Sequence, residues 1–243
     1  MRDAGRRLAE CIALVREQTV EGVTTGELDR IFEEAIKARG CVSAFKGYRG
    51  VQGAVPFPAT ICASRNDQVV HGFPDDTPLK SGDIISLDFG LVYGGFFADS
   101  AYTIGIGEVD DSVRQLLDVT EKSLYEAVSC AAPGARVGDI GHRVQTLCEA
   151  EGFGVIREYV GHGIGRNLHE EPSVPNYGKS GTGVLLKAGM CLAIEPMITT
   201  GSWKTKTLKD GWTVVTTDGS QAAHFEHTVL ITPEGPEVLT AIT

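Results

Sequence analysis

The chain has 243 residues, 42% of them hydrophobic and 22% charged, with a formal net charge of -10. That is enough length for one large domain or two intimate halves around a sizeable core, and the composition excludes a disordered chain. So acidic a protein is a poor partner for DNA or an anionic membrane. No apolar run reaches the roughly 18 residues of a membrane span, and the start, MRDAGRRLAE, lacks the apolar centre of a secretory signal. The cysteines at 11, 41, 62, 130, 148 and 191 form no CxxC pair. Their spacing predicts free thiols in a reducing, cytoplasmic setting rather than a disulfide frame or a zinc knuckle.

Leu8, Ile12 and Val15 recur at helical spacing and predict a first helix. A second begins at Thr24, where Glu27 completes a capping-box pattern. Leu28, Ile31, Phe32, Ala35 and Ile36 form its apolar stripe, and Gly40 ends it. Residues 41–108 read as β-rich, with turns at GYRG, FPDD, KSGD and YGG. A third helix is expected over 112–131. A fourth follows APGARVGD, burying Ile140, Val144, Leu147 and Cys148, and the remainder is again β-rich.

The order helix, helix, sheet therefore occurs twice. Sliding the chain by 112 residues lays GVTTGELDRIFEEAIKARG (22–40) on GARVGDIGHRVQTLCEAEG (134–152) without gaps, with four identities in nineteen positions. Two similar helices could match this well by chance. Combined with the repeated order of elements, the match predicts a duplicated architecture, with halves of about 1–108 and 109–243. Two such halves would share a sheet and leave a cleft for a site.

The segment DIISLDFGLVYGGFFADSAYTI is strongly β-forming and broken by Gly94-Gly95, a good two-residue hairpin turn. That turn pairs Tyr93 with Phe96 and Gly90 with Asp99. Asp88 and Asp99 then share a face as diagonal neighbours, with Cα atoms roughly 7–8 Å apart. On the pattern alone, both could face solvent at a hairpin tip. If they are buried, a shared proton or a cation must separate them. Glu195 lies inside the apolar run GMCLAIEPMI, and Glu226 inside AAHFEHTVLIT. Desolvating an isolated carboxylate is costly. No lysine or arginine stands within five residues of any of these four acids, which leaves a long-range salt bridge or a metal. Four acids with His162 make an oxygen-rich donor set with one imidazole, suited to Mn, Fe(II), Co or Zn, and a carboxylate can bridge two ions.

Other motifs fail on inspection. HEEPS is not HExxH, because Ser173 takes the place of the second histidine. Gly178-Lys179-Ser180 lacks the upstream glycine of a P-loop, again at Ser173. GHGIGR carries Arg166 where a dinucleotide fingerprint needs glycine, and there is no GxSxG elbow.

Taken together, NDQVVHGFP, LDFG…FFADSA, GHGIGRNLHEEP, GMCLAIEPMI, KDGWT and FEHTVLI resemble, in that order and over nearly the whole chain, the type I methionine aminopeptidases. The resemblance implies an α+β pita-bread fold: one catalytic domain, 1–243, whose two pseudo-symmetric ααβ halves share a curved antiparallel sheet. It implies two divalent ions. Asp88 binds one, Asp99 and Glu226 bridge the pair, and His162 and Glu195 complete the other. Activated water attacks the scissile carbonyl, with Glu195 moving its proton. His71 and His169 are not ligands in that family; they contact the substrate and stabilise the tetrahedral intermediate. Tyr48, Phe57, Cys62 and Trp212 fall in the stretches that form the methionine pocket, where thiol and aromatic groups suit a thioether, although each would also serve as ordinary core. The implied substrates are N-terminal Met-peptides of nascent chains near the ribosome, and the implied state is a monomer.

The chain departs from the family pattern at three places. Phe45 stands where many relatives carry cysteine, Leu168 replaces a usual phenylalanine, and VQGAVP (51–56) looks like an insertion beside the pocket. These bear on pocket shape and not on the ligands. Prolidases and aminopeptidases P share the fold and the five ligands. HGIGRNLHEEP followed by Val174-Pro175-Asn176, and DGWT before the last glutamate, favour methionine.

Overall fold

The structure, a computed structural model, describes residues 1–50 and 55–242. The expected insertion therefore lies mostly outside the described residues. Helices α1 (Arg2–Gln18) and α2 (Thr25–Ala38) come first. They are followed by β1 (Val42–Ser43), β2 (Ile61–Arg65), β3 (Gln68–Val70) and a long hairpin of β4 (Ile84–Tyr93) and β5 (Phe96–Gly105). Helices α3 (Asp111–Cys130) and α4 (Val137–Ala150) precede β6 (Gly154–Val155), β7 (Gly161–Gly163), β8 (Glu170–Val174), β9 (Cys191–Ile194) and β10 (Met197–Thr199). The chain closes with β11 (Thr205–Thr207), β12 (Val214–Thr216), β13 (Ala222–His224), β14 (Glu226–Thr232) and β15 (Gly235–Val238).

Local chemistry accounts for the helix starts. Thr24 Oγ1 accepts from the Glu27 N–H at 3.1 Å, and the Glu27 carboxylate accepts from the Thr24 N–H at 2.8 Å, a reciprocal cap. Helix α4 starts and ends 112 residues after α2. Asp139 stands at the position of Glu27 and accepts the Arg136 N–H at 2.7 Å. Arg136 has no side-chain oxygen with which to return the bond, so α4 keeps half of the device.

Among the described residues, nine strands form the main sheet, all paired antiparallel. Its path is β1-β4-β5-β14-β9-β7-β8, with β2 also on β4 and β15 on β14. Two three-stranded sheets, β13-β10-β6 and β11-β12-β3, flank it. One contiguous buried cluster joins the inner faces of all four helices to Leu87, Phe89 and Leu91 of β4 and to Leu192, Ile194, Val229 and Ile231 of β9 and β14. Phe32 of α2 meets Phe89 at 5.1 Å between ring centroids, and Phe89 stacks on Tyr102 at 5.6 Å. Strand alternation turns the even-numbered residues of β4, Asp88 and Gly90, to the other face. The helices thus cover one face and leave the second for chemistry. The six cysteines are free thiols, and no helix among the described residues is long and apolar enough to cross a membrane.

Phe32 has no exposed surface. Phe32→Ala is expected to cost about 3–5 kcal/mol of unfolding free energy, the usual cost of a large core truncation. Urea denaturation of the metal-free protein measures it. A loss below about 1 kcal/mol would mean that α2 does not anchor the sheet as described.

Candidate metal centre

The hairpin has the expected register: Tyr93 pairs with Phe96, Gly90 with Asp99 and Asp88 with Ala101. Gly94 and Gly95 both adopt positive φ, 58° and 78°, as a tight primed turn requires. Asp88 and Asp99 consequently share a face as diagonal neighbours, and they are shielded from solvent rather than displayed at a hairpin tip.

The sheet order supplies the remaining donors. Strands β4, β5, β14, β9 and β7 are consecutive neighbours. They carry Asp88, Asp99, Glu226, Glu195 (one residue past β9) and His162 in turn. The register pairs Asp88 with Ala101 and Ala101 with Glu226. It pairs His227 with Ile194, so Glu195 falls one step further along the same row as Glu226. His162 pairs with Ala193, two residues from Glu195 on the same face. Five residues spread over 139 positions of sequence thus become one patch.

One donor atom each from Asp99, His162 and Glu226 lies within 4.8 Å of the others, and all three residues are buried. His162 Nε2 is 3.4 Å from Glu195 Oε1 and 4.0 Å from Asp99 Oδ2. Asp88 stands outside that trio, beside Asp99. His162 Nδ1 lies 2.9 Å from the Gly163 carbonyl oxygen. That carbonyl can only accept, so Nδ1 carries the proton and the Nε2 lone pair points into the cluster. Cross-strand bonds hold the frame. The Asp99 N–H donates to Thr228 Oγ1 at 3.0 Å, Thr228 Oγ1 donates to the Asp99 carbonyl at 2.8 Å, and Ser100 Oγ donates to the Glu226 carbonyl at 2.8 Å.

The electrostatics of this patch are severe. Burial, together with the neighbouring carboxylates, pushes Asp99 and Glu226 well above the usual carboxylate range. Burial does the same to Glu195. Burial raises Asp88 to about 6. Among the described residues no lysine or arginine pairs with any of the four; only imidazoles approach them. Asp88 Oδ1, Asp99 Oδ1 and Glu226 Oε1 are buried without a hydrogen-bond partner. Orphaned acceptors of this kind fit divalent cations, and the oxygen-rich set with one free imidazole nitrogen suits Mn, Fe(II), Co or Zn.

The cluster forms the floor of a cavity of about 990 Å³, and all of the residues singled out in the sequence line it. His71 sits on a left-handed backbone, φ 60°, which is uncommon outside glycine and concentrates at functional sites. Its ring lies edge-on to Trp212 at 6.0 Å and to Tyr159 at 5.7 Å. Burial lowers His71 and His162 to about 4, so both are neutral near pH 7. His169 projects from the loop before β8, its ring 4.3 Å from that of His162, and Tyr48 Oη meets His169 Nδ1 at 2.8 Å. Phe57 contacts Trp212 at 5.3 Å and Phe45 at 6.5 Å, both edge-on. Cys62 pairs across the ladder with Asp88, and Phe45 and Leu168 belong to the same buried cluster as Phe57.

Two residues that fall within the quoted motifs were given no role at the site from sequence. Asn176, fully buried, donates Nδ2 to the Glu195 carbonyl at 2.9 Å. His224, also buried, lies 3.6 Å from Glu195 Oε2 and 3.9 Å from Glu226 Oε2. The spacing His224-Phe225-Glu226 was the available signal, since residues two apart on a strand share a face.

The described geometry is that of the pita-bread metallopeptidases. Residues 1–233 match the model of metallopeptidase family M24, and the chain belongs to that family. It is similar to the methionine aminopeptidase of Clostridium perfringens, 49% identical over all of this chain and 95% of that one. Methionine aminopeptidase 1 of Bacillus subtilis is 48% identical over the same shares. The crystal structure of the Thermotoga maritima methionine aminopeptidase superposes with a TM-score of 0.94 at 46% identity, covering 99% of this chain and 94% of that chain. The prolidase of Pyrococcus horikoshii, 21% identical with a TM-score of 0.77 over all of this chain and 61% of its own, shares the fold.

Metal binding at this patch should release protons. Burial and crowding hold the four carboxylates above their ordinary range, so each gives up its proton less readily than a free acid, whereas a cation needs them ionised. His162 is already neutral above about 4 and has none to give. Affinity should therefore rise with pH through the value of about 6 at Asp88. Calorimetric titration of Mn(II) near that pH, in buffers of different ionisation enthalpy, should count at least one proton released per protein. Release of none would contradict the charge crowding.

Proposed function

We propose that the chain is a dinuclear metal-dependent aminopeptidase that removes the N-terminal methionine of nascent proteins and peptides. The observation that carries this reading is the convergence of five donors from five neighbouring strands on the floor of a cavity walled by a thiol and aromatic rings. The M24 family match and the full-length similarity to proteins named methionine aminopeptidase support it. In this reading the protein forms one catalytic domain and works as a monomer in the cytoplasm, on chains leaving the ribosome.

Asp88 would hold one divalent ion, His162 and Glu195 the other, with Asp99 and Glu226 shared between them. Co, Mn, Fe(II) and Zn all fit the donor set. When bound, such ions polarise the scissile carbonyl and make water nucleophilic at neutral pH. Everything else falls to the chain's own residues. A Glu195 carboxylate oxygen takes the proton of the attacking water and passes it to the departing amine. In the tautomer where the Tyr48 hydroxyl donates to His169 Nδ1, the His169 proton sits on Nε2, where it meets the carbonyl oxygen as negative charge develops. His71, neutral and fixed by its strained backbone, orients the peptide. Tyr48, Phe57, Cys62 and Trp212 receive the methionine side chain, whose polarisable sulfur favours aromatic edges.

Metal-loaded protein should hydrolyse Met-Gly-Met-Met and leave Gly-Pro dipeptides intact; the reverse preference would make it a proline-specific enzyme. Asp99→Ala should abolish turnover and reduce bound metal. His169→Ala should lower kcat by about 10²–10³-fold with metal content unchanged, the cost of one transition-state donor. Full activity in that variant would remove His169 from the mechanism.

A further inference from the structure

We propose that His224 is a positioning residue for the metal centre: its Nε2–H holds the outer oxygens of Glu195 and Glu226, and so sets how tightly the cluster keeps its ions. The proposal rests on the metallopeptidase reading above. Glu195 lies between two imidazoles. Its Oε1 is 3.4 Å from His162 Nε2, and its Oε2 is 3.6 Å from His224 Nε2. An oxygen that joins His162 at a cation leaves its twin needing a donor. Glu226 Oε2 is 3.9 Å from the same His224 nitrogen. These separations exceed a hydrogen bond, and His224 Nε2 is buried with no partner. With its proton on Nε2 it is a donor placed between two acceptors, which need close by only a few tenths of an ångström to reach it.

The His224 backbone cannot drift. Thr103 Oγ1 accepts from its N–H and donates to its carbonyl, both at 2.8 Å, and Ser86 Oγ meets Thr103 Oγ1 at 2.8 Å. Across the ladder, Met197 pairs with His224. A side chain anchored this firmly, 2% exposed and two residues before Glu226, is built to aim. Two carboxylate oxygens, Glu195 Oε2 at 3.6 Å and Glu226 Oε2 at 3.9 Å, face the His224 nitrogen, and they assign it to the acids rather than to an ion.

Mn(II) binding to the full chain tests the assignment, read by calorimetry and by electron spin-echo modulation, with no need for turnover. His224→Leu keeps bulk and lacks the donor; His224→Ala is a second donor-free variant should the first fail to fold. His224→Gln keeps an N–H. The donor-free variants should bind Mn(II) about 10–100-fold more weakly, as lost outer partners of ligands usually do, and Gln should restore most of the affinity. Modulation should report a single imidazole nitrogen, that of His162, in wild type and variants alike. Unchanged affinity in the donor-free variants would overturn the proposal. So would a second imidazole nitrogen that disappears with His224, which would make it a ligand. Failure of the wild-type chain to bind Mn(II) or Co(II) at all would instead overturn the metallopeptidase reading itself.

Discussion

Four carboxylates, Asp99 and Glu226 buried and Asp88 and Glu195 half-buried, crowd together with no lysine or arginine paired to them among the described residues, and this is the constraint to which the site answers. Like charges a few ångströms apart in a water-poor setting cannot all ionise. With no counter-charge, burial and mutual repulsion drive Asp99 and Glu226 in the same upward direction, toward their protonated forms. Protons alone answer the crowding poorly, because Asp88 Oδ1, Asp99 Oδ1 and Glu226 Oε1 are buried without partners. Divalent cations would replace the protons and satisfy those oxygens together. The crowding that is costly without a counter-charge is what would bind cations strongly.

Such crowding is affordable only because the rest of the sheet is conventional. The helix-facing residues Leu87, Phe89 and Leu91 alternate with Asp88 and Gly90, so one strand serves the core and the site at once. The four helices bury the first face and the cavity opens on the second. The order β4-β5-β14-β9-β7 matters as much as any single residue. It interleaves strands from the two ends of the chain, placing β5 of the first part against β14 of the last. The row from Asp88 through Ala101 to Glu226 crosses that seam.

Much of this was legible in the sequence because the determinants are local. Gly94-Gly95 fixes the hairpin, the hairpin fixes the register, and the register puts Asp88 diagonal to Asp99. The Thr24–Glu27 cap and the 112-residue offset likewise follow from short-range pattern, and α2 and α4 match to the residue. What was not legible depends on strand order and on side chains meeting across loops. Nothing local says that β14 inserts between β5 and β9. Nothing local brings Tyr48 to His169 or Asn176 to the Glu195 carbonyl. His224 shows the boundary well. Its spacing from Glu226 was visible, but its meaning depends on Glu195, which arrives from another strand.

The pocket wall carries the same lesson about linked positions. The Phe45 ring packs against β4 where Gly90 stands. A Cβ at residue 90 would come 2.5 Å from Phe45 Cε1 and 2.9 Å from Ala44 Cβ. The glycine is therefore not free to change while the phenylalanine is present. Phe45 in turn meets Phe57, Phe57 meets Trp212, and Trp212 Nε1 donates to the Val55 carbonyl at 3.0 Å. Large-for-small exchange at Phe45 is thus transmitted ring by ring to the pocket rim. The metal floor is set by charge and tolerates little variation. The wall is set by packing, so a change in the volume of one ring is felt by the next.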